Sequence, residues 1–351
     1  MGSVKDLTIK KEPTESNLGR GIFTFSDRYS VFDWGKMPDD IPGKGAALCM
    51  MAAFNFEMLN EENIPTHYVG VLDGSMKKAK VRGLTEPSSR MAIKLSRVIE
   101  PEFLKSGKYS YAHFVKGINN FVVPLEVIYR RGAPLGSSLF KTIKKLENSG
   151  KEEEIRLLLV KYGLKKEPQP GDLFPETGYD FTTKFESTDR ALADDEAYSI
   201  SGLSEEQFGE LEDLRNRVVP MISGRADEVG FIDYDGKLEF IFFKGVKLGD
   251  VAGTFDENRF MFNGEQVSKE FLRQWYKKNQ PEWYEACEEA KSKGIEDWRS
   301  LVKVQPVHLP QELVELVGEM YMAGSDRYIG LNLFRKRPLE QIMDELRPYR
   351  N

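Results

Sequence analysis

Three stretches of the chain carry residue types that could do chemistry, two of them with groups suited to phosphate. In the first, VVPLEVIYRRGAPLGSS (122–138), an apolar strand ends on Arg130 and Arg131, and a Gly/Pro turn then presents Gly136, Ser137 and Ser138 at a helix start. A helix N-terminus offers free N–H groups and the positive end of the helix dipole, and an arginine adds a planar donor fork, so the combination suits a phosphate. Two solvated arginines and an ordinary N-cap serine would use the same residues. In the second, KLEFIFFKGVKLGD (237–250), Glu239 and Asp250 lie either side of a Lys-Gly turn in a hairpin, where both could face one ligand. Paired carboxylates at strand ends suit magnesium shared with the phosphates of ATP, although an edge hairpin with surface acids has the same composition. In the third, SDRYSVFDWGKMPDDIPGKG (26–45), acids, a serine, Trp34 read as exposed, and Lys44 between two glycines could line a polar cleft. Glycine lets the backbone approach a ligand closely, and a structural loop draws on the same residue types.

Other chemistries find no support. His67, His113 and His308 lie in unrelated contexts, with no HExxH pattern and no Ser/His/Asp set, and read as structural. The two cysteines, Cys49 and Cys287, are far apart and lack CxxC spacing, which argues against a zinc site or a disulfide framework and for a reducing cytoplasm. No GxGxxG or GxxxxGK[ST] loop occurs, so a nucleotide must be held another way. Fifty basic and 56 acidic residues leave a net charge of −6, without the basic field that captures nucleic acid. The start has no apolar h-region and no run approaches about 18 apolar residues, so neither secretion nor membrane spanning is signalled.

These candidate groups need elements to position them. The 351 residues suggest about two domains, and 40% hydrophobic content is an ordinary globular balance. Residues 1–35 read as extended pieces, 46–59 as a buried helix, and 64–71 and 91–98 as strands. A polar excursion at 100–120 precedes a strand at 121–129 and two helical pieces within 138–163; 165–179 reads as a loop. The capping box of Ser204 and Gln207 opens a helix through Val219. Strands at 229–232 and 238–243 flank a hairpin-type turn at 233–236. Helices at 268–278, 281–293 and 310–322, the last closing near Gly324, end the chain.

In this order the motifs resemble the phosphoribosylaminoimidazole-succinocarboxamide synthase (SAICAR synthetase) family. SDRYSVFDWG, IPGKG, the apolar helix and NIPTHYV look like its N-terminal pattern, with Asp33 and Lys44 on motif positions. PLEVIYR looks like its signature strand, placing Glu126 and Arg130; GSSL matches its Gly-Ser; KLEF, LGD and Arg259 look like its C-terminal half. KEFLRQW and LPQELVE resemble the tail helices of some members, so the likeness runs from near Gly21 to near Gly330. The chain departs from the pattern in several places. Gly19-Arg20-Gly21 is the nearest counterpart of the family's Gly-Lys-x-Lys element, with Lys10 and Lys11 as candidate substitutes. One extra residue after Arg130 leaves Ser137 or Ser138 as the equivalent serine, and either Asp233 or Asp235 takes the aspartate of the Asp-x-Lys run. After LGD an acid and a Ser-Pro-Asp are missing, while Asp250, Asp256 and Arg259 still match.

The resemblance implies a two-lobed α+β fold: an antiparallel N-terminal lobe over residues 1–125, a larger α+β lobe with a helical tail over 126–351, and an ATP-grasp- or kinase-like cleft between them. It implies a carbon–nitrogen ligase joining L-aspartate to carboxyaminoimidazole ribonucleotide (CAIR) with ATP and magnesium, through an acyl phosphate, to give SAICAR, ADP and phosphate. On that basis Lys237 and Asp250 are catalytic, Glu239 and Asp250 hold magnesium, and Lys94, Lys11 and Glu239 meet ATP. Arg130, Arg259 and Ser137 or Ser138 clamp the 5′-phosphate, and Asp33, Lys44 and Glu126 line the pocket. Asp189, with Lys184 and Glu196, belongs to a substrate segment. The expected partners are small molecules rather than nucleic acid or membrane, in the cytoplasm, with a homo-oligomer left open. Two other readings compete: a non-catalytic nucleotide-binding paralogue, motivated by the missing Gly-Lys-x-Lys, and a phosphotransferase on another acceptor. Retention of both Glu239 and Asp250 weighs against a mere binder.

Overall fold

The computed structural model describes residues 4–295 and 297–350. Its first part is an antiparallel sheet wrapped on one helix. Strands β1 (Lys5–Lys11) and β2 (Gly19–Phe25), helix α1 (Lys44–Glu61), and strands β3 (Tyr68–Leu72), β4 (Lys78–Ala79) and β5 (Arg90–Leu95) form a five-stranded sheet in the order β1-β2-β5-β3-β4. Phe23 and Phe25 of β2 and Met91 and Ile93 of β5 point inward, as period-2 alternation requires. Against them packs α1, whose Ala47–Phe56 run is buried on every side. The helix begins where the Asp27 carboxylate accepts hydrogen bonds from the N–H groups of Gly43 (3.1 Å) and Gly45 (2.9 Å), satisfying donors that a helix start leaves open.

After a short hairpin of β6 (Glu102–Phe103) and β7 (Tyr109–Ser110) inside the polar excursion comes a second, seven-stranded sheet. Its elements are β8 (Phe121–Gly132), α2 (Ser138–Asn148), α3 (Glu152–Lys161), β9 (Leu173–Thr183), β10 (Ala191–Leu192), α4 (Asp194–Ile200), α5 (Glu205–Glu228), β11 (Phe231–Phe242), β12 (Val246–Gly249), β13 (Arg259–Phe262) and β14 (Glu265–Gln266). The order is β10-β9-β8-β11-β13-β14, with β12 paired to β11. A parallel bridge of Thr66 to Leu248 and a bridge of Arg97 to Phe121 tie the two sheets together. Helices α6 (Glu270–Asn279), α7 (Pro281–Ser292), α8 (Gln311–Ile329) and α9 (Leu339–Leu346) follow.

Four elements differ from the sequence expectation, each for a physical reason. The Asp233–Gly236 segment is no turn: β11 runs unbroken because β8 on one side and β13 on the other supply partners for its backbone. Gly236 is needed for closeness instead, since a Cβ there would meet Tyr129 Oη at 2.7 Å and the Asn258 amide at 2.6 Å. Helix α5 opens on the expected capping box but continues through Pro220 to Glu228, held by Leu211, Leu214, Val218, Ile222 and Ala226 buried on the sheet. Helix α8 passes Gly324, whose missing side chain leaves room for the Phe255 ring, and ends at Gly330 in the left-handed conformation (φ 71°). Strand β9 occupies the second half of the segment read as a loop.

The C-terminal helices are core. Helix α8 packs along α1, and Leu313, Val317, Met320 and Tyr321 are buried there. Thus α1 is apolar all round because sheet covers one side and α8 the other. Gly318 lets α8 approach the IPGKG loop, where a Cβ would meet the Pro42 carbonyl at 2.6 Å.

Candidate functional site

Two adjacent central strands build the floor of the site. On β11, Asp235, Lys237 and Glu239 alternate onto one face; their register partners on β8 are Arg130, Ile128 and Glu126. The backbone period of two therefore arrays five ionisable groups on one patch of sheet. The register shifts just beyond Glu239, in the β8 segment holding Pro124, which has no N–H to give to a ladder.

At the centre stands Lys237. Its Nζ lies 2.7 Å from Glu126 Oε1, 3.0 Å from Glu239 Oε1 and 3.5 Å from Glu257 Oε2. Burial alone would lower its pKa, but Glu257, Glu239 and Glu126 hold it well above the ordinary lysine value, so it stays a cation. Burial would raise Glu239, yet Lys237 and then Lys184, which contacts its other oxygen, keep it far below the usual carboxylate range. Burial dominates at Glu126 and pushes its carboxyl up to about 8 against the pull of Lys237.

Lys237 lines one of two neighbouring cavities, and its partner Glu239 lines the other. A polar one of about 510 Å³ lies over Glu126, Arg130, Asp235 and Lys237, with Lys269 and Arg273 opposite. There Arg259 pairs with Asp235 (Nε to Oδ1, 2.8 Å), while Arg130 contacts Asp180 at 3.3 Å and the Ser138 hydroxyl at 3.2 Å. A more apolar cavity of about 400 Å³ lies between the sheets, walled by Leu7, Phe23, Ile93 and Val122 and ending at Lys184, Glu239 and Asp250. Both volumes fall in the range of small-molecule sites. A hollow of about 570 Å³ beside 73–90 holds none of these charge clusters.

Asp250 sits at the polar end of the apolar cavity in an uncommon backbone state, φ 49°. For a residue other than glycine that conformation costs roughly 1–2 kcal/mol. Lys5 Nζ lies 2.6 Å from its carboxylate, and His67 Nε2 lies 2.9 Å from its carbonyl oxygen. Burial pushes His67 down to about 4, so it is neutral at neutral pH and its Nε2–H donates.

The expected residues divide clearly. Asp33, Glu126, Arg130, Ser138, Asp189, Lys237 and Arg259 line the polar cavity, and Lys94, Glu239 and Asp250 line the apolar one. Ser137 does not: it is buried as the N-cap of α2, accepting from Leu139 N, and Ser138 takes the pocket position. Lys44 is also displaced. Fully buried behind the cavity, it pairs with Asp256 at 2.6 Å, and Tyr321 donates to the other Asp256 oxygen at 2.8 Å, so Lys44 positions an acid of the lining. Lys11 and Lys10 are exposed and outside both linings; Lys5 is the lysine of β1 that reaches an acid of the cavity. Glu196 pairs with Arg190 outside the polar cavity. Arg131 turns away toward Asp227, and Trp34 is half-buried against Trp283 and Trp298.

Of the two aspartates, Asp235 faces the cavity. Asp233, two residues earlier, crosses the bulge between them to the opposite face, where Tyr129 (2.6 Å), Ser223 (3.0 Å) and Asn258 (3.0 Å) surround it. Sequence reading missed Lys5, His67, Glu257, Lys269, Arg273 and Lys277. For the last three a signal existed: Lys269, Arg273 and Lys277 recur every four residues, a basic stripe on one face of α6.

Among the described residues no group of three or more acids, histidines or cysteines could hold a metal unaided. Glu239 and Asp250 nonetheless border one cavity, and magnesium is commonly held by one or two carboxylates together with substrate phosphates. The donor set fits an ion shared with a nucleotide rather than one caged by protein.

Comparison with known proteins adds the following. A family described as SAICAR synthetase matches residues 13–290. An Archaeoglobus fulgidus protein, provisionally named phosphoribosylaminoimidazole-succinocarboxamide synthase, is 42% identical, the match covering 99% of each chain. A SAICAR synthase of Saccharomyces cerevisiae solved with SAICAR superposes with a TM-score of 0.60 at 22% identity, over 94% of this chain and 93% of the other. A SAICAR synthetase solved with ADP gives 0.57 at 18% identity, over 94% and 97%. These two likenesses speak for the fold.

Proposed function

The chain belongs to the SAICAR synthetase family, and from that premise we propose which of its groups carry the chemistry. It is a purine-biosynthesis ligase that joins L-aspartate to CAIR, converts ATP to ADP and phosphate, and yields SAICAR. We place ATP in the apolar cavity, its phosphates toward Lys5, Lys184, Glu239 and Asp250, and CAIR in the polar one. The supporting observation is the joint between the cavities: Lys237 contacts Glu239 of one and Glu126 of the other.

A carboxylate is a poor electrophile because its leaving group would be oxide. In the reading proposed here a CAIR carboxylate oxygen attacks the γ-phosphorus and ADP leaves; the aspartate amine then attacks the acyl carbon, and phosphate leaves. Such transfer needs alignment and charge neutralisation more than a protein nucleophile, in keeping with the absence of a triad. Lys237, fixed between carboxylates, offsets charge on the transferring phosphoryl group. Arg130, Arg259 and Ser138 take the 5′-phosphate, with Asp235 holding the Arg259 guanidinium in place. Asp33, Asp189 and Glu126 border the ribonucleotide and the amino acid; the Lys269, Arg273 and Lys277 stripe offsets their carboxylates. Magnesium, when bound, supplies charge neutralisation on ATP oxygens, and Glu239 and Asp250 would hold it.

The site's small-molecule character accords with metabolite partners, and the two buried free thiols, Cys49 and Cys287, support a cytoplasmic setting. No described helix is long and apolar enough to cross a membrane. Measuring ADP release with each substrate omitted tests the assignment: sustained release should need both CAIR and aspartate, with at most one ADP per enzyme formed when aspartate alone is omitted, and steady release without CAIR would sink the ligase order.

A further inference from the structure

Asp250 is held by two contacts with different jobs. Lys5 neutralises its side chain, while its backbone, in the left-handed region, is gripped through the carbonyl by His67 Nε2 at 2.9 Å. His67 is itself immobilised. It is buried, with its ring 5.3 Å from Phe56 and 5.9 Å from Phe23. Its N–H donates to Leu248 O (2.9 Å) on β12, and its carbonyl accepts from Lys94 N (2.7 Å) on β5. One residue thus bonds to both sheets and to the acid at the mouth of the nucleotide cavity.

We propose that His67 is a positioning residue for the nucleotide site: its Nε2–H fixes the Asp250 carbonyl and so presents the Asp250 carboxylate to a cation on the triphosphate. A left-handed aspartate reverts to ordinary conformations once the surrounding bonds that over-determine it are removed. Without the imidazole the carboxylate would no longer be presented to the cavity. The inference rests on the placement of ATP proposed above.

Calorimetric titration of the intact chain with ADP, with and without magnesium, and separately with CAIR, tests it. His67→Leu should weaken magnesium-dependent ADP binding roughly 10-fold or more, as outer-shell substitutions at metal sites do, and leave metal-free ADP and CAIR binding within about 2-fold. His67→Gln, whose amide nitrogen reaches the place of Nε2, should recover most of the loss, whereas His67→Asn, one carbon shorter, should not. Equal binding by His67→Leu and the wild type overturns the proposal, as does equal weakening of all three ligands. If His67→Leu does not fold, the Gln and Asn variants decide: identical behaviour overturns it. Asp250→Asn separates the two levels. If it weakens magnesium-dependent ADP binding and His67→Leu does not, only the His67 role fails; if neither does, the placement of ATP fails.

Discussion

A single cation, Lys237, shows how burial and charge fix a residue's state. Three acidic side chains within 3.5 Å, Glu257 and Glu239 foremost, outweigh desolvation and keep it protonated, and the same lysine with Lys184 keeps Glu239 ionised. The site therefore holds its charges in place before substrate arrives, which is what electrostatic preorganisation requires. Arg259 is pre-aimed in the same way by Asp235. Because hydrogen bonds to charged partners contribute about 1.5–3 kcal/mol each, Arg259→Ala should raise the half-saturating CAIR concentration roughly 10- to 100-fold. Half-saturation by ATP should hardly change, and steady-state kinetics with each substrate varied will show whether it does. The sequence pointed to both Lys237 and Glu239, and the structure sets them on one face because they are two apart in a strand. Lys44 was misplaced because nothing local says that Asp256, 212 positions away, takes its ammonium.

Among the elements, β11 carries the largest burden, and its bulge decides which of two aspartates faces the polar cavity. Asp233, turned to the core, has its carboxyl pushed up by burial to about 7 from an ordinary 3.8, with Tyr129, Asn258 and Ser223 pulling the other way. Folding therefore favours the protonated form. That contribution is fully present below about pH 4 and is lost as pH rises through about 7. Through this group the wild type should lose thermal stability between about pH 4 and pH 7, and Asp233→Asn, neutral throughout, should lessen that pH dependence; an unchanged slope in unfolding temperature against pH would remove Asp233 as a source. Behind β11, α5 begins with a complete capping box. Ser204→Ala should lower stability by about 1 kcal/mol in urea unfolding and leave turnover unaltered, since the cap lies outside both cavities. The box was legible in four consecutive residues. The unbroken run of β11 was not, because Asp-Tyr-Asp-Gly has turn composition and only the neighbouring strands β8 and β13 overrule it.

Across the whole molecule, the two sheets, α1 and α8 share one continuous core. The matched family segment stops at residue 290, yet α8, beginning at Gln311, supplies the second half of the cover on α1. The turn that leads into α1 at Lys44 is clamped against α8: Gly43 and Gly318 both sit where any side chain would collide with the opposing element. A chain ending at Leu309 should consequently expose the apolar face of α1 and accumulate as insoluble protein, which fractionation of expressed material will test. Soluble, active truncated protein would show that α8 is an accessory.

Local chemistry was written in the sequence. The order of motifs, the paired acids around the Lys-Gly turn and the cap of α5 each depend on residues near one another in the chain, where turn chemistry and helix period act. Tertiary structure alone decided the rest. Which aspartate and which of Ser137 and Ser138 face the cavity, that Lys5 rather than Lys10 or Lys11 reaches Asp250, and that His67 grips its carbonyl are decided by tertiary packing. Those contacts join residues up to hundreds of positions apart, and no periodicity along the chain encodes them.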